Sequence, residues 1–295
     1  VAPSGPVDMG RVQRGLAHVR AHFGPGAPQL APNLAQRSGY FAGDDATRFE
    51  ALSAALQDPD LRVLWAARGG YGATRLLRRL DPAWARGKLI VGFSDITALM
   101  CWAWTAAGQP SIHGPVVAQL DALDPGDRER LWDLLAGELP VPLVAEGEGA
   151  GSLCGGRVEG TLMPANLEVL RSLVGTPFLP SMRGAIVALE EVGERPYRLD
   201  RALTQLLDSG ALRGVAGFAI GQLHACNEPA AGGSQGWSAR EVVEDRLARL
   251  GVPVVTGLPF GHAPGRNAAI PFGVRGRLDA DQGSLEVLEP LPGFA

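Results

Sequence analysis

The stretch "KLIVGFSDITALMCWAW", residues 88–104, puts a hydroxyl and a carboxylate where an apolar run stops. Leu89-Ile90-Val91 reads as a buried strand, Gly92 breaks it, and Ser94 and Asp95 stand just before an apolar helical pattern. A serine at a tight strand-to-helix turn projects its Oγ away from the sheet, with a helix N-terminus behind it. That is the geometry of a nucleophile elbow. Backbone N–H groups there, such as that of Asp95, can meet a developing oxyanion. The stretch alone leaves a second reading open, in which Ser94 or Asp95 only N-caps the helix at Ile96. Ile96 also departs from G-x-S-x-G, which disfavours an α/β-hydrolase.

A second glycine turn, "ARGGYG" at residues 67–72, closes another short strand signal, "LRVLWAA". Ligands of open parallel sheets bind at the carboxyl ends of strands, so the two turns can face one crevice. Gly69 or Gly70 would then supply a second oxyanion donor. The turn lacks the GK[ST] ending of a phosphate loop, and GxGxxG is absent.

A serine nucleophile needs a base, usually a histidine oriented by a carboxylate. Of the five histidines, His18 and His22 stand at i, i+4 on the first helical segment, where a solvated face is the plainer reading. His113 in "PSIHGP" could line the crevice or cap a core edge, and His224 borders a long loop. His262 in "GLPFGH" sits where an apolar strand breaks at Gly261, a better place for a base than a helix face. For the acid, "AIVALEE" ends an apolar strand with Glu190 and Glu191, and a carboxylate there must be solvated, paired or used. Strand side chains alternate faces, so Glu190 goes with Ile186 and Ala188, and Glu191 with Val187 and Leu189. Both faces are apolar, so periodicity does not choose between them.

The elements around these residues form two halves. The first alternates strand and helix signals: helices over "MGRVQRGLAHVRAHFG" and "DDATRFEALSAALQDPD", a glycine turn entering a helix over "RGGYGATRLLRRL", then the strand, turn and helix of residues 88–108. Such alternation predicts a parallel sheet with helices on its faces. The chain opens on "VAPSGP", which reads as the end of a strand running into a turn. Residues 1–137 are assigned to this α/β domain. Residues 138–157, rich in Pro and Gly, are read as the inter-domain linker, and 158–295 as a second domain. In the second domain "GTLMPANLEVLRSLVGTP" reads as turn plus helix, "GAIVALEEV" as a strand and "YRLDRALTQLLDSGALRG" as a helix. "VAGFAIGQL" and "PVVTGLPFG" read as buried strands, and a β-meander ends the chain. Residues 224–238 read as a long loop carrying Trp237.

The 295 residues are 46% hydrophobic and 20% charged, ordinary for a globular protein, and a net charge of −4 leaves no footprint for nucleic acid or an anionic membrane. Three scattered cysteines, Cys101, Cys154 and Cys226, with no CxxC spacing, suggest neither a zinc site nor a disulfide framework. No apolar run reaches the roughly 18 residues of a membrane helix, and no signal-peptide pattern opens the chain.

"RGGYG", "GFSDITAL", "HGP", "LEEVGERPYRLDR" and "GLPFGH" stand in the order and approximate spacing of the LD-carboxypeptidase family of serine peptidases, which the sequence resembles over nearly its whole length. The resemblance implies an α/β fold: an N-terminal parallel-sheet domain of the glutamine-amidotransferase-like kind and a smaller, swivelling C-terminal β/α domain, with the site between them. It implies Ser94 as nucleophile, Glu190 as acid and His262 as base, with the backbone N–H groups of Asp95 and Gly70 as oxyanion hole. It further implies a cytoplasmic homodimer with no metal or organic cofactor. The implied reaction is release of the terminal D-Ala from an L,D-linked murein tetrapeptide in peptidoglycan recycling. One member of the family resembles this chain equally in its triad yet cleaves acyl-sulfamoyl or phosphoramidate adenylates, conferring microcin immunity. Trp237 is a conceivable adenine-stacking partner for that reading. A third reading, a ligand-binding scaffold on the same fold, sits poorly with three intact triad positions.

Overall fold

The computed structural model describes residues 1–26, 28–147, 149–227 and 236–292. The first half carries helix α1 (Met9–Phe23), helix α2 (Asp45–Gln57), strand β1 (Val63–Trp65), strand β2 (Leu89–Gly92), helix α3 (Thr97–Ala107), strand β3 (Ser111–His113) and helix α4 (Pro125–Ala136). Asp8 and Asp44 start α1 and α2 by accepting backbone N–H bonds with their side chains. Strands β1, β2 and β3 are parallel neighbours in that order, so the turns at their carboxyl ends share one edge of the sheet. Val1 lies alongside β1, its N-terminal nitrogen donating to the Trp65 carbonyl and its own carbonyl accepting from Ala67 N–H, both at 2.8 Å.

The second half carries β4 (Leu143–Val144), β5 (Gly151–Cys154), β6 (Arg157–Asn166), α5 (Leu167–Ser172), β7 (Ala185–Val192), α6 (Pro196–Asp208), β8 (Gly217–His224), α7 (Ala239–Leu247), β9 (Val254–Thr256), β10 (Ile270–Phe272), β11 (Arg275–Asp279) and β12 (Ser284–Val287). The strands other than β10 build an eight-stranded sheet in the order β4-β12-β11-β6-β7-β8-β9-β5. Its centre, β6 to β9, is parallel, with α5, α6 and α7 in the crossovers, and its flanks are antiparallel. The molecule is thus a mixed α/β fold with two sheets, each built around parallel strands and edged by antiparallel ones.

The two halves interlock. Segment 138–157, read as a linker, carries β4 and β5, the two edge strands of the larger sheet. Strands of two to four residues at an edge need no long apolar pattern, which is why the segment reads as a linker. β10 leaves the second half and pairs antiparallel with β3, matching Ile270 to His113. One apolar cluster therefore spans both sheets, joining Val91 and Ile112 to Ile186, Ala188 and Phe260. On the other face of β7, Val187 and Leu189 pack with residues of α3, α5 and α6.

Three local expectations differ from the structure. Residues 73–79 form two short 3-10 turns instead of a helix. Ala73 N–H is taken by the Asp95 carboxylate, and Asp81 starts a separate 3-10 turn at Pro82. "GTLMPAN" is the end of β6 instead of a turn. Pro164 is tolerated there because it shares its direction with Leu162, whose N–H leaves β6 for Val274; the β6–β11 ladder stops at Thr161, so no strand bond is demanded of residue 164. Helices α4 and α7 were not assigned from the sequence.

Candidate active site

Ser94 stands at the carboxyl end of β2 with φ 62°, one of two non-glycine residues at positive φ among those described. An L-residue pays in strain for the left-handed region, and such strain concentrates at functional turns. Ser94 opens a 3-10 turn over Ser94–Ile96 that runs directly into α3. Neither Ser94 nor Asp95 caps that helix with its side chain, so the capping reading fails. Asp95 points inward instead, 2% exposed, accepting from Ser4 Oγ at 2.5 Å and from Ala73 N–H at 2.8 Å. Burial pushes its carboxyl above the usual range against the pull of these donors. The carboxylate thus fastens the elbow to the N-terminal turn and to the end of the RGGYG turn.

The glycine turn lies directly against the serine. A Cβ placed on Gly69 would stand 3.0 Å from Ser94 Cβ and 3.2 Å from its Oγ. Gly70 has φ 124°, and a Cβ there would stand 3.0 Å from Gly5 N, so both positions require the smallest residue.

The second half brings an acid and a histidine to the same place. Glu190, fully buried near the end of β7, accepts from His262 Nδ1 at 2.6 Å through Oε2. Gly261 makes this approach possible: at φ 127°, a Cβ on it would stand 3.1 Å from Glu190 Cβ and 3.2 Å from Oε2. The loop after it is braced from several sides. Gln222 Oε1 accepts Ala263 N–H at 2.7 Å, and Asn267 Oδ1 accepts Gly261 N–H at 3.1 Å. Asp127 of α4 accepts from Arg266 Nε at 3.0 Å and Asn267 N–H at 2.9 Å, tying the loop to the first half. His262 remains 17% exposed at its side chain. Its ring lies 4.5 Å, centroid to centroid, from that of Phe93, the residue before Ser94. The two halves therefore touch next to the candidate serine, with Phe93 against His262 as the contact.

Burial would push the Glu190 carboxyl up, but the imidazoles of His113 and His262 outweigh it, and the group is held below its ordinary range. As an ionised acceptor, Glu190 fixes the proton of His262 on Nδ1 and leaves Nε2 free to take another. Glu191 has the opposite environment. It is 3% exposed on the other face, accepting from Asn166 Nδ2 at 3.0 Å, Val192 N–H at 2.8 Å and Glu168 N–H at 2.8 Å. Burial, with the charge of Glu190 beside it, pushes its carboxyl up to about 7 despite these donors. The strand alternation places the two carboxylates as expected, and the register slip between β7 and β8 lies opposite them.

The remaining candidates fall outside this cluster. His22 stacks on Trp132 with centroids 4.7 Å apart, and His18 lies 3.6 Å from Asp121. His224 ends β8. Trp237 is half-exposed, while residues 228–235 of its loop lie outside the described residues. His113 was weighed only as a crevice or edge residue. It is wholly buried, with Nε2 3.8 Å from Glu190 Oε1. A cavity of about 450 Å³ between α1, α2 and β1 is lined by none of Ser94, Glu190 and His262. Among the described residues no group of three or more His, Cys, Asp or Glu side chains is arranged to hold a metal ion, and no helix is long and apolar enough to cross a membrane.

The family profile described as LD-carboxypeptidase N-terminal domain matches residues 1–114, and that of the C-terminal domain matches residues 159–278. A murein tetrapeptide carboxypeptidase of Pseudomonas aeruginosa is 34% identical over 273 residues, covering 86% of this chain and 84% of that protein. The crystal structure of a muramoyltetrapeptide carboxypeptidase from Oxalobacter formigenes superposes with a TM-score of 0.83 at 29% identity, covering 98% of this chain and 99% of the other. The microcin C7 self-immunity protein MccF in complex with aspartyl sulfamoyl adenosine shares the fold at 20% identity, with a TM-score of 0.80 over 98% of this chain and 95% of its own. Matched in both halves and over most of its length, the chain belongs to the LD-carboxypeptidase family of peptidases.

Proposed function

We propose that this chain is a serine LD-carboxypeptidase that releases the terminal D-Ala from L,D-linked murein tetrapeptide. The observation that carries the reading is the 2.6 Å pair of His262 Nδ1 and buried Glu190 Oε2, packed through Phe93 against the strained turn of Ser94. Ser94 Oγ attacks the carbonyl of the L–D amide while His262 Nε2 takes its proton. Glu190 accepts the Nδ1 hydrogen bond and stabilises the imidazolium. The backbone N–H groups of Asp95 and Gly70 hold the oxyanion. D-Ala leaves with the proton from His262, and water then resolves the acyl-enzyme by the same route in reverse. The tripeptide so formed suits reuse in the cytoplasm, where cell-wall peptides are recycled. The family's homodimer is adopted as the working assembly.

The murein substrate is favoured over an acyl-sulfamoyl adenylate because the relatives named for murein peptides are the more similar in sequence, 34% and 29% against 20%. The test compares initial rates on three compounds: L,D-linked murein tetrapeptide, its all-L analogue and an aminoacyl-sulfamoyl adenosine. A pocket shaped for one stereocentre places the other's carbonyl off line, and a misplacement of about 1 Å costs about 100-fold. The tetrapeptide should therefore be cut at least that much faster than the all-L analogue. Faster turnover of the adenylate would promote the immunity reading, and no turnover of any of the three would favour the ligand-binding scaffold.

A further inference from the structure

Two buried polar groups behind the candidate dyad face each other without a bond. His113 and Glu190 are both wholly buried, and their closest approach is 3.8 Å from Nε2 to Oε1. Among the described residues, neither ring nitrogen of His113 has a hydrogen-bond partner, and neither has Glu190 Oε1. An unsatisfied oxygen on a buried carboxylate carries the desolvation penalty of a charged group. The gap exceeds an ordinary N–H···O bond by only about 1 Å. The walls around His113 offer little else: the rings of Phe93 and Phe260 stand edge-on to it, with centroids 5.9 and 6.0 Å away. An ionised carboxylate can only accept, so the tautomer that satisfies Oε1 is the one with its proton on Nε2, facing Glu190.

We infer that His113 is a positioning residue for the reaction: its Nε2–H donates to Glu190 Oε1 and turns the carboxylate so that Oε2 addresses His262. Glu190 then bridges two imidazoles, one on each side of the domain junction. His113 supplies the donor from the last position of β3, whose partner Ile270 lies on β10, the strand that follows the His262 loop. The strand that carries His113 is thus hydrogen-bonded to the strand that the His262 loop enters. As charge develops on His262, Oε1 would otherwise stand bare in an apolar wall, and the Nε2–H holds the anion in place.

The inference rests on the serine-peptidase reading, so the readout needs an activated serine but no particular peptide. It is the rate at which a fluorophosphonate probe phosphonylates Ser94, read by mass spectrometry beside the melting temperature. His113→Phe keeps a ring among Phe93 and Phe260 but removes the donor. It should slow labelling by about ten- to a hundredfold, the rate equivalent of one hydrogen bond to a charged group, with the fold retained. His113→Gln returns an N–H near the place of Nε2 and should recover most of the rate. In a Glu190→Gln background, His113→Phe should add little, because it acts through the carboxylate. Wild-type labelling in His113→Phe overturns the inference. So does slowing that is equal in both His113 variants and follows lost melting temperature. If the wild-type protein itself is not labelled at Ser94, the serine-peptidase reading falls first, and this inference with it.

Discussion

Two neighbouring carboxylates on one strand end up with opposite chemistry. Glu190 meets two imidazoles and is held ionised, whereas Glu191 meets an amide and two backbone donors and is pushed up to about 7. Glu190→Gln should cut kcat by about 10⁴-fold, because an amide no longer fixes the His262 tautomer. Steady-state rates on tetrapeptide check this, and a Glu190 variant near wild type would remove it as the acid. Glu191→Gln should leave kcat per folded molecule largely intact while costing about 1–3 kcal/mol of stability, since one of its three N–H donors would face an amide nitrogen. The pH dependence of that cost has a fixed sign. Glu191 titrates at about 7 in the folded chain, against about 4.3 unfolded. Between those values the folded chain holds a proton that the unfolded chain lacks. The group's contribution is therefore full below the unfolded value and is lost as pH rises through the folded one. The melting-temperature gap between wild type and Glu191→Gln should narrow from about pH 5 to about pH 8. A gap that widens over that range would contradict the environment described for Glu191.

At the scale of elements, the site depends on turns that bring backbone unusually close. Gly261 lets the His262 loop lie on Glu190, and Gly221, in the irregular stretch of β8, leaves room for Phe260, whose carbonyl would stand 2.6 Å from a Cβ there. Gly261→Ala both strains a φ of 127° and pushes on the Glu190 side chain. A displacement of the imidazole by about 1 Å should lower kcat by about 100-fold, with a smaller change in KM. Equal kinetics for Gly261→Ala and wild type would show that the loop tolerates the shift. These turns were legible as glycine-marked strand ends, because Gly92, Gly69-Gly70 and Gly261 interrupt apolar runs. Other elements carried signals that the apolar pattern hid. α4 has Asp124 as N-cap, Pro125 in its first turn and Gly137 in a left-handed conformation at its end. α7 has a Ser238–Glu241 capping box. β6 was obscured by Pro164, whose tolerance depends on where the β11 ladder stops, a tertiary fact absent from local sequence.

At the scale of the whole molecule, the two sheets share apolar core, and the candidate residues come from carboxyl ends on both sides of it. Ser94 and the glycine turn belong to the first sheet, Glu190 to the second. The His262 loop runs from the second toward β10, which joins the first. The alternation of strand and helix signals was enough to read parallel α/β architecture, and the motif order was enough to read the family. The interlocking of the halves was not legible, because β4, β5 and β10 are two to four residues long and take their places only through partners distant in sequence. His113 escaped for the same reason: nothing local distinguishes a strand-end histidine that fills a core from one that faces a buried carboxylate. The central claim is that Ser94 is the nucleophile of an L,D-carboxypeptidase. Mass spectrometry of murein tetrapeptide incubated with wild-type protein and with Ser94→Ala tests it most directly. Wild type should convert the tetrapeptide to tripeptide and free D-Ala, while Ser94→Ala, folded and with unchanged melting temperature, should show a rate lower by about 10⁶-fold, as when a triad nucleophile is removed. Tripeptide forming at near wild-type rate in Ser94→Ala would contradict the account.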